Sequence, residues 1–352
     1  MRRVRGIGIT AAVMACGLVL AGCGDPPAEE EEGGSSEEAF QACMVTDTGG
    51  VDDRSFNASS WAGMQAAAEE GDNIEVDYVA SENEQDYEPN LSEYAEQECG
   101  LIVAVGGLMA DALTVVAEQN PDQQFAIVDA LVDLPNVYSM QFNTAQSSFL
   151  AGYLAAGMSQ TGVVATYGGM NIPPVTIFMD GFVQGVEHYN QTQNASVRVL
   201  GWDVASQNGT FAESFTDATQ GQAITETFVG QGADVIFPVA GGAGIGTATV
   251  AQESNGSLSV IWVDIDGCVS LADYCDVFLT SVVKNISDAV RDAVLAAAEG
   301  EEGGSYIGTL ENNGTFLANY RSDVPQELQD QIAQLQEQII AGEIEITSPS
   351  QP

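Results

Sequence analysis

Short apolar runs alternate with longer amphipathic stretches along almost the whole chain beyond residue 39. The short runs are typical of strands, whereas the longer stretches carry apolar residues at helical spacing. The predicted strands are 40–46, 74–79, 101–105, 125–129, 137–142, 162–167, 196–202, 234–238, 258–264 and 278–283. The predicted helices are 57–70, 87–98, 109–119, 145–159, 176–191, 218–230, 245–254, 285–299 and 325–341. This alternation favours an α/β protein with parallel sheets covered by helices on both faces.

The chain beyond residue 38 is longer than one hydrophobic core usually holds, which favours two lobes. Two similar series of strand–helix units predict a first lobe of residues 39–143 plus about 267–303. The second lobe is predicted to comprise 144–266 plus part of 304–345, and the pattern does not decide where 304–322 belongs. Because ligands bind at the carboxyl ends of strands in open α/β sheets, the predicted site is a cleft between the lobes.

The first 38 residues follow a different pattern. Three arginines precede an apolar run from Ile7 to Ala21 that is too short for a stable membrane span, so 1–22 is predicted to be a secretory signal. The run ends in L-A-G-C, which resembles the lipobox of bacterial lipoproteins and predicts a lipid on Cys23. The acidic stretch 23–38 is predicted to be a disordered tether. We therefore expect a body anchored in the cell membrane through its lipid, facing the extracytoplasmic side.

The chain is strongly acidic, with a formal net charge of −43. Removal of the signal takes away three of the eight basic residues and none of the 51 acids. Such a surface repels phosphate backbones, so nucleic acid is not an expected partner. The acids are spread over predicted helix faces and loops, which favours adaptation to high salt.

Four cysteines remain beyond the predicted lipid attachment site. Cys43 opens the first strand and Cys99 immediately precedes another, so pairing of these strands would bring the two together, and we predict a disulfide. Cys268 and Cys275 lie in one short loop and are predicted to form a second bridge. Free buried thiols are the alternative that spacing leaves open.

Polar and aromatic residues cluster at predicted strand ends in both lobes. The stretch 45–61, V-T-D-T-G-G-V-D-D-R-S-F-N-A-S-S-W, follows the first strand, and Ser55 or Asn57 is expected to cap the next helix. Two aromatic rings, one from each lobe, would sandwich a flat ring, and carboxylates would accept hydrogen bonds from hydroxyl or ring N–H groups. The candidate ligand-binding residues are Asp47, Phe56, Asn57, Met109, Asp129, Phe215, Gly242, Asp264, Asp266 and Lys284.

Each candidate also has a purely structural interpretation. The stretch 45–61 is also compatible with a solvated acidic surface turn, the phenylalanines with ordinary core, and each aspartate with a cap or turn. Lys284, the only lysine, ends a predicted strand. Its ammonium either pairs with Asp264 or Asp266 inside the protein or points into the cleft to bind ligand oxygens.

Enzyme signatures are missing. The glycine-rich run 240–246 resembles a dinucleotide loop, but Thr247 and Thr249 stand where its last glycine is required. His188, the only histidine, lies in a predicted helix far from the clusters, and no cysteine–histidine set has zinc spacing. The pair Asp52-Asp53 gives only weak support for a hydrolase using a divalent ion. We therefore expect neither an enzyme nor a bound metal or cofactor.

Eight segments resemble a known family, the basic membrane protein or purine-nucleoside-receptor lipoproteins, which are substrate-binding components of ATP-driven (ABC) importers. They are T-D-T-G-G-V-D-D-R-S-F-N-A-S-S-W, F-A-I-V-D-A, F-L-A-G-Y-L-A-A, P-P-V-T-I-F-M-D-G-F-V-Q-G, D-A-T-Q-G-Q, G-A-D-V-I-F-P-V-A-G-G-A-G-I-G, W-V-D-I-D-G and T-S-V-V-K-N. The resemblance implies a type I periplasmic-binding-protein fold, with two Rossmann-like lobes joined by a hinge. It also implies a nucleoside held between the lobes and presented to permease and ATPase subunits.

The same resemblance implies roles for individual residues. Asp47 and Phe56 match the first lobe's half of the site, and Phe215 resembles the second lobe's stacking residue, with Phe211 as the alternative in that loop. Asp129 resembles a position near the base. Lys284 and either Asp264 or Asp266 resemble the positions that bind the ribose. Weaker matches are Asn57, Met109 and Gly242. The loop reads A-E-S-F-T-D where the family has G-S-F-x-D, so a sugar or another hydroxylated ligand is the alternative for the same fold.

Overall fold

The computed structural model describes residues 39–352, which belong to one compact unit. The predicted signal 1–22, the lipid attachment site Cys23 and the predicted tether 23–38 lie outside the described residues. Within 39–352, no helix combines the length and apolar character needed to cross a bilayer.

Every predicted strand and helix has a counterpart in the structure. The strands are β1 Phe40–Thr46, β2 Ile74–Ala80, β3 Leu101–Val105, β4 Phe125–Val128, β5 Val137–Phe142, β6 Val163–Gly168, β7 Arg198–Leu200, β8 Trp202–Asp203, β9 Asn208–Gly209, β10 Val235–Val239, β11 Ser259–Asp264, β12 Phe278–Lys284, β13 Gly304–Gly308 and β14 Thr315–Leu317. The helices are α1 Phe56–Glu70, α2 Tyr87–Glu96, α3 Ala110–Gln119, α4 Ala145–Met158, α5 Pro173–Gln193, α6 Ala218–Gly230, α7 Ile245–Glu253, α8 Gly267–Ser270, α9 Ile286–Ala298 and α10 Gln326–Ile340.

Twelve of these strands form two six-stranded sheets of matching topology, and β8 and β9 form a separate antiparallel pair. The first has the order β13-β5-β4-β3-β1-β2 and is parallel throughout. The second has the order β14-β12-β11-β10-β6-β7, and only its edge strand β14 is antiparallel. Each strand of one sheet therefore has an equivalent in the other. The predicted α/β fold with two parallel sheets is confirmed.

The chain passes between the sheets after β5, after β12 and between β13 and β14. The segment 267–303, which we expected in the first lobe, is divided: β12 pairs in the second sheet, whereas α9 packs against α1 in the first lobe. The segment 304–322 is divided as well, because β13 joins the first sheet and β14 the second. β12 is buried along its whole length, and a buried strand of this kind fits the centre of either sheet, so its local sequence does not show which sheet it joins.

Both predicted disulfides are present. Cys43 of β1 is joined to Cys99, which precedes the neighbouring strand β3. Cys268 is joined to Cys275 and closes the loop between β11 and β12. The two bridges thus fix chain segments next to strands whose carboxyl ends face the other lobe.

Candidate functional site

A cavity lies between the carboxyl edges of the two sheets. The atom-free space in the cavity and at its open mouth together measures about 620 Å³. Its walls come from turns that follow strands in both lobes and from the starts of α1 and α5. The predicted site residues that line it are Asp47, Phe56, Asn57, Asp129, Phe215, Gly242, Asp264 and Lys284.

The first lobe's acidic wall is built on the start of α1. Asn57 Nδ2 donates to Asp47 Oδ1 at 2.7 Å and to Asp53 Oδ2 at 3.2 Å. Asp53 also accepts from the backbone N–H of Ser55, just before α1, at 3.0 Å, and from those of Asn57 and Ala58 in its first turn at 2.8 and 2.9 Å. Asp53 is therefore the helix cap, and the expectation that Ser55 or Asn57 caps α1 was wrong because both side chains bind other carboxylates.

One aromatic ring reaches the cavity from each of the two predicted positions. Phe56 opens α1 in the first lobe, and Phe215 comes from the loop before α6 in the second. The ring of Phe215 lies over Gly169, where an added Cβ would come within 2.4 Å of it. Phe211 covers Gly168 and meets Trp202 edge-on, with ring centroids 6.0 Å apart, and does not line the cavity. The loop thus presents Phe215 and not Phe211.

Lys284 joins the two lobes electrostatically. Its Nζ lies 2.6 Å from Asp129 Oδ2 of the first lobe and 3.9 Å from Asp264 Oδ1 of its own lobe. It also lies 5.0 Å from the ring centroid of Phe178 and 5.3 Å from that of Phe56. Only 3% of the lysine side chain is exposed. The ammonium is thus both ion-paired and next to the cavity, and its closer partner is Asp129 and not one of the two acids, Asp264 and Asp266, that the sequence suggested.

The two carboxylates beside Lys284 occupy equivalent places in the two sheets. Asp129 follows β4 and Asp264 ends β11, and these are the third strands from the same edge of their sheets. Both residues have left-handed backbone, with φ of 69° and 65°. Asp tolerates this conformation better than most residues, because its short side chain finds local hydrogen-bond partners. The same turn therefore aims a carboxylate at the cavity from each lobe.

Burial dominates the titration of these acids. It raises the pKa of Asp47 to about 7, although the Asn57 hydrogen bond opposes the shift. It raises the pKa of Asp264 to about 6 and also raises the pKa of Asp129, in both cases against the attraction of Lys284. Near neutral pH the cavity is thus rich in acceptors and holds carboxyl groups poised to take up a proton.

Close approach of the chain explains two glycines of the site. A Cβ at Gly106, where φ is 119°, would lie 2.8 Å from Asp47 Oδ2. A Cβ at Gly242 would lie 3.1 Å from the backbone oxygen of Phe215. Glycine at these turns lets an acid in the first lobe and an aromatic loop in the second approach the cavity.

Two predicted site residues do not line the cavity. The side chain of Met109 follows the Gly106-Gly107 turn into the core and is completely buried there. Asp266 caps α8 by accepting from the Cys268 backbone N–H at 2.9 Å, so of the two acids considered near Lys284, Asp264 is the one at the cavity. Both were selected because they follow strands closely, but the local turn directs them elsewhere.

Sequence reasoning missed part of the lining. Phe178, Pro174 and Val175 form a wall at the start of α5. The prediction began this helix at residue 176, although Pro173-Pro174 is a recognisable helix start. Ser55 was also overlooked as a partner across the cleft, where its Oγ donates to Asp264 Oδ2 at 3.0 Å.

Among residues 39–352, no set of three or more His, Cys, Asp or Glu side chains is arranged to hold a metal ion. His188 lies in α5 against Phe149 and Tyr153, and it does not line the cavity.

Two matching α/β lobes that enclose a cavity between their strand ends define the class of type I periplasmic binding proteins. A solved structure of an ABC transporter solute-binding protein from Aeropyrum pernix K1 has this fold, with a TM-score of 0.77 and 24% identity over 88% of this chain and 94% of that one.

The family described as "ABC transporter substrate-binding protein PnrA-like" matches residues 40–350, and the chain belongs to it. Among similar curated proteins, a "CD4+ T-cell-stimulating antigen" of Listeria innocua is 32% identical, with 97% of each chain covered. The "ABC transporter nucleoside-binding protein BmpA" of Lactococcus lactis subsp. cremoris is 31% identical, over 98% of this chain and 99% of that protein. The family resemblance predicted from the sequence is confirmed. The family binds transport substrates and is not a family of enzymes.

Proposed function

We propose that this protein binds a nucleoside, with a purine base preferred, and presents it to the permease and ATPase subunits of an ABC importer. The observation that carries the proposal is the arrangement of Phe56 and Phe215 on opposite lobes beside buried carboxylates and Lys284. Flat rings stack on aromatic faces, and sugar hydroxyls donate to carboxylates and accept from an ammonium.

The assignment within the cavity follows the chemistry of each wall. Phe56 and Phe215 enclose the base, and Asp47 accepts from its N–H groups. Asp264 and Lys284 bind the ribose hydroxyls, and Asp129 lies where base and sugar meet. The name of the Lactococcus lactis relative supports a nucleoside as the ligand.

The location of the protein is part of the same proposal. The L-A-G-C pattern supports lipidation of Cys23 and attachment to the outer face of the cell membrane. In cells, Cys23→Ala should release the protein from the membrane fraction. Retention of that variant in membranes would contradict lipid anchoring.

Calorimetry tests the ligand directly. Inosine, guanosine and adenosine are titrated into the protein in concentrated salt, with ribose and myo-inositol as comparison ligands. We expect micromolar or tighter binding of at least one nucleoside and much weaker binding of the polyols. Binding of a polyol alone would support the sugar alternative, and no heat with any nucleoside would remove the nucleoside proposal.

A matched pair of variants tests the geometry. Phe215→Ala should weaken nucleoside binding about tenfold or more, because a stacked base contributes roughly 1–3 kcal/mol. Phe211→Ala, in the same loop but outside the cavity, is the control and should change affinity little. Equal losses in the two variants would show that the loop acts through its overall stability and not through stacking.

A further inference from the structure

A segment away from the cavity lies along α5. Residues Ile346–Gln351, here called the strap, begin with an isoleucine that is 6% exposed and packs in the second-lobe core. Thr347 exchanges two hydrogen bonds with Gln184, at 2.8 and 3.1 Å. Ser348 Oγ donates to Asp180 Oδ2 at 2.6 Å, and Ser350 Oγ lies 2.8 Å from Thr176 Oγ1. The strap is therefore bonded to three successive turns of one helix.

The bonded positions and the cavity wall lie on different sides of that helix. Thr176, Asp180 and Gln184 are four residues apart and share one face. Pro174 and Phe178, which line the cavity, are each two positions from Thr176, or about 200° around the helix axis. The strap therefore contacts α5 on the side opposite the cavity wall.

Asp180 is the centre of this contact. Its side chain is fully buried, and none of the ion pairs formed within residues 39–352 includes it. Its Oδ1 accepts from Trp202 Nε1 at 2.8 Å and from Gln207 Nε2 at 2.9 Å. In the described part of the chain, Ser348 is the side chain that hydrogen-bonds Oδ2. Loss of the Ser348 hydroxyl therefore leaves one oxygen of a buried carboxylate without that partner.

The other end of the strap reaches a crossing between the lobes. Gln351 Nε2 donates to Asn143 Oδ1 at 3.5 Å, and Asn143 lies in the connection from β5 to α4. The backbone N–H of Asn143 donates to the oxygen of Gly308, where the chain leaves β13 for β14. The strap thus joins the face of α5 to two of the three connections that link the lobes.

We propose that the strap positions the start of α5, and with it the second-lobe wall of the cavity, relative to the connections between the lobes. Thr347, Ser348 and Ser350 are then positioning residues that contact no ligand. The effect on ligand affinity rests on the proposed function, whereas the effect on the position of α5 does not.

Two ligand-independent measurements on the full chain test the proposal. In Ser348→Ala, the rate of hydrogen–deuterium exchange in peptides covering 173–186 should rise roughly tenfold. The reason is that loss of a hydrogen bond to a buried carboxylate lowers the free energy needed to open this part of the helix. The NMR signal of the Trp202 indole N–H, assigned from its absence in Trp202→Phe, should shift. Trp202 and Ser348 of the strap both donate to the carboxylate of Asp180. Ser348→Thr keeps the hydroxyl and should restore both readouts.

The control is Ser257→Ala, which removes an exposed hydroxyl that donates to the Ser254 backbone oxygen at 3.0 Å. It should change neither readout. Unchanged exchange at the start of α5 in Ser348→Ala, even with a lower melting temperature, would overturn the proposal, because it would show that the strap adds stability without positioning the wall.

Calorimetry with inosine adds a functional readout. Ser348→Ala should weaken binding about threefold to tenfold with every lining residue intact, and Ser348→Thr should recover it. If the wild-type protein binds inosine and Ser348→Ala binds it with the same affinity, the positioning role is overturned. If the wild-type protein does not bind inosine, that result counts against the ligand proposal, and the exchange experiment alone decides the role of the strap.

Discussion

The Nζ of Lys284 lies 2.6 Å from Asp129 Oδ2, and the two residues belong to different lobes. Asp264, the other acid near the ammonium, is in the same lobe as Lys284. Separation of the lobes would therefore remove one carboxylate from the lysine and leave the other. The pair Lys284–Asp129 exists only when the lobes are together, and it links the stability of this arrangement to the cavity itself.

Lys284→Met should lower the free energy of unfolding at pH 8 by about 3 kcal/mol, because removing one member of a buried ion pair leaves an uncompensated charge. Urea unfolding at constant high salt measures the loss. The double variant Asp129→Asn/Lys284→Met removes both charges and should be more stable than Lys284→Met alone. Equal stability of the single and double variants would show that the two side chains are not coupled.

Ser55→Ala should favour separation of the lobes, because the hydroxyl of Ser55 in the first lobe donates to Asp264 in the second. We expect a shift of about 1 kcal/mol, the usual contribution of one hydrogen bond, seen as a larger radius of gyration in small-angle X-ray scattering. Ser60→Ala is the control, since the Ser60 hydroxyl binds the Phe56 backbone oxygen within the same helix. A similar expansion in both variants would contradict a specific role for Ser55.

Asp47 should make the protein less stable as the pH rises from about 4 to about 7. Its folded-state pKa of about 7 lies above the usual 3.8, so in this window the folded protein holds a proton that the unfolded chain has released. This contribution is fully present below pH 4 and lost by pH 7, and it amounts to up to about 4 kcal/mol. Unfolding by urea at a series of pH values measures it.

The control for this pH dependence is Asp47→Asn, which keeps the shape and removes the titration. The many other acids contribute to the slope in both proteins, so the difference between the two curves isolates Asp47. Superimposable slopes between pH 4 and pH 7 would contradict the assignment.

The two disulfides should differ in their contributions to stability. Cys43 and Cys99 are 56 residues apart, and Cys268 and Cys275 are 7 apart. Loop-closure entropy then gives a loss of about 4 kcal/mol for Cys43→Ala/Cys99→Ala and about 2 kcal/mol for Cys268→Ala/Cys275→Ala. Urea unfolding of each double variant measures the loss, and the reverse order would show that native-state effects outweigh loop length.

The elements of the fold were readable from local pattern, but the pairing of strands was not. Apolar runs and helical spacing located β12 and α9 correctly, because both signals depend on neighbouring residues. Assignment of β12 to the first lobe failed because a strand buried on both faces has the same composition in either sheet. Register and sheet order depend on contacts between residues far apart in sequence.

The site was predictable where strand ends determine it. Asp47 and Asp129 follow strands and line the cavity, as expected of the carboxyl edge of a parallel sheet. Met109 and Asp266 also follow strands but do not line it, because the backbone turn after each strand decides where the side chain points. Phe178 was missed because an apolar residue in a helix has the same local pattern whether it faces a core or a cavity.

The equivalent strands β5 and β12 differ at a position beside the cavity. Val128 of β4 pairs with Met140 of β5, and Val263 of β11 pairs with Val282 of β12. Phe142 and Lys284 lie two residues after Met140 and Val282 and therefore occupy corresponding positions. The ammonium lies 5.8 Å from the centroid of the phenylalanine ring. A cavity with identical halves would admit an elongated molecule equally well in either direction. Lys284 lines the cavity and Phe142 does not, so the two halves differ at this position as well, and an asymmetric guest would meet different groups in its two orientations.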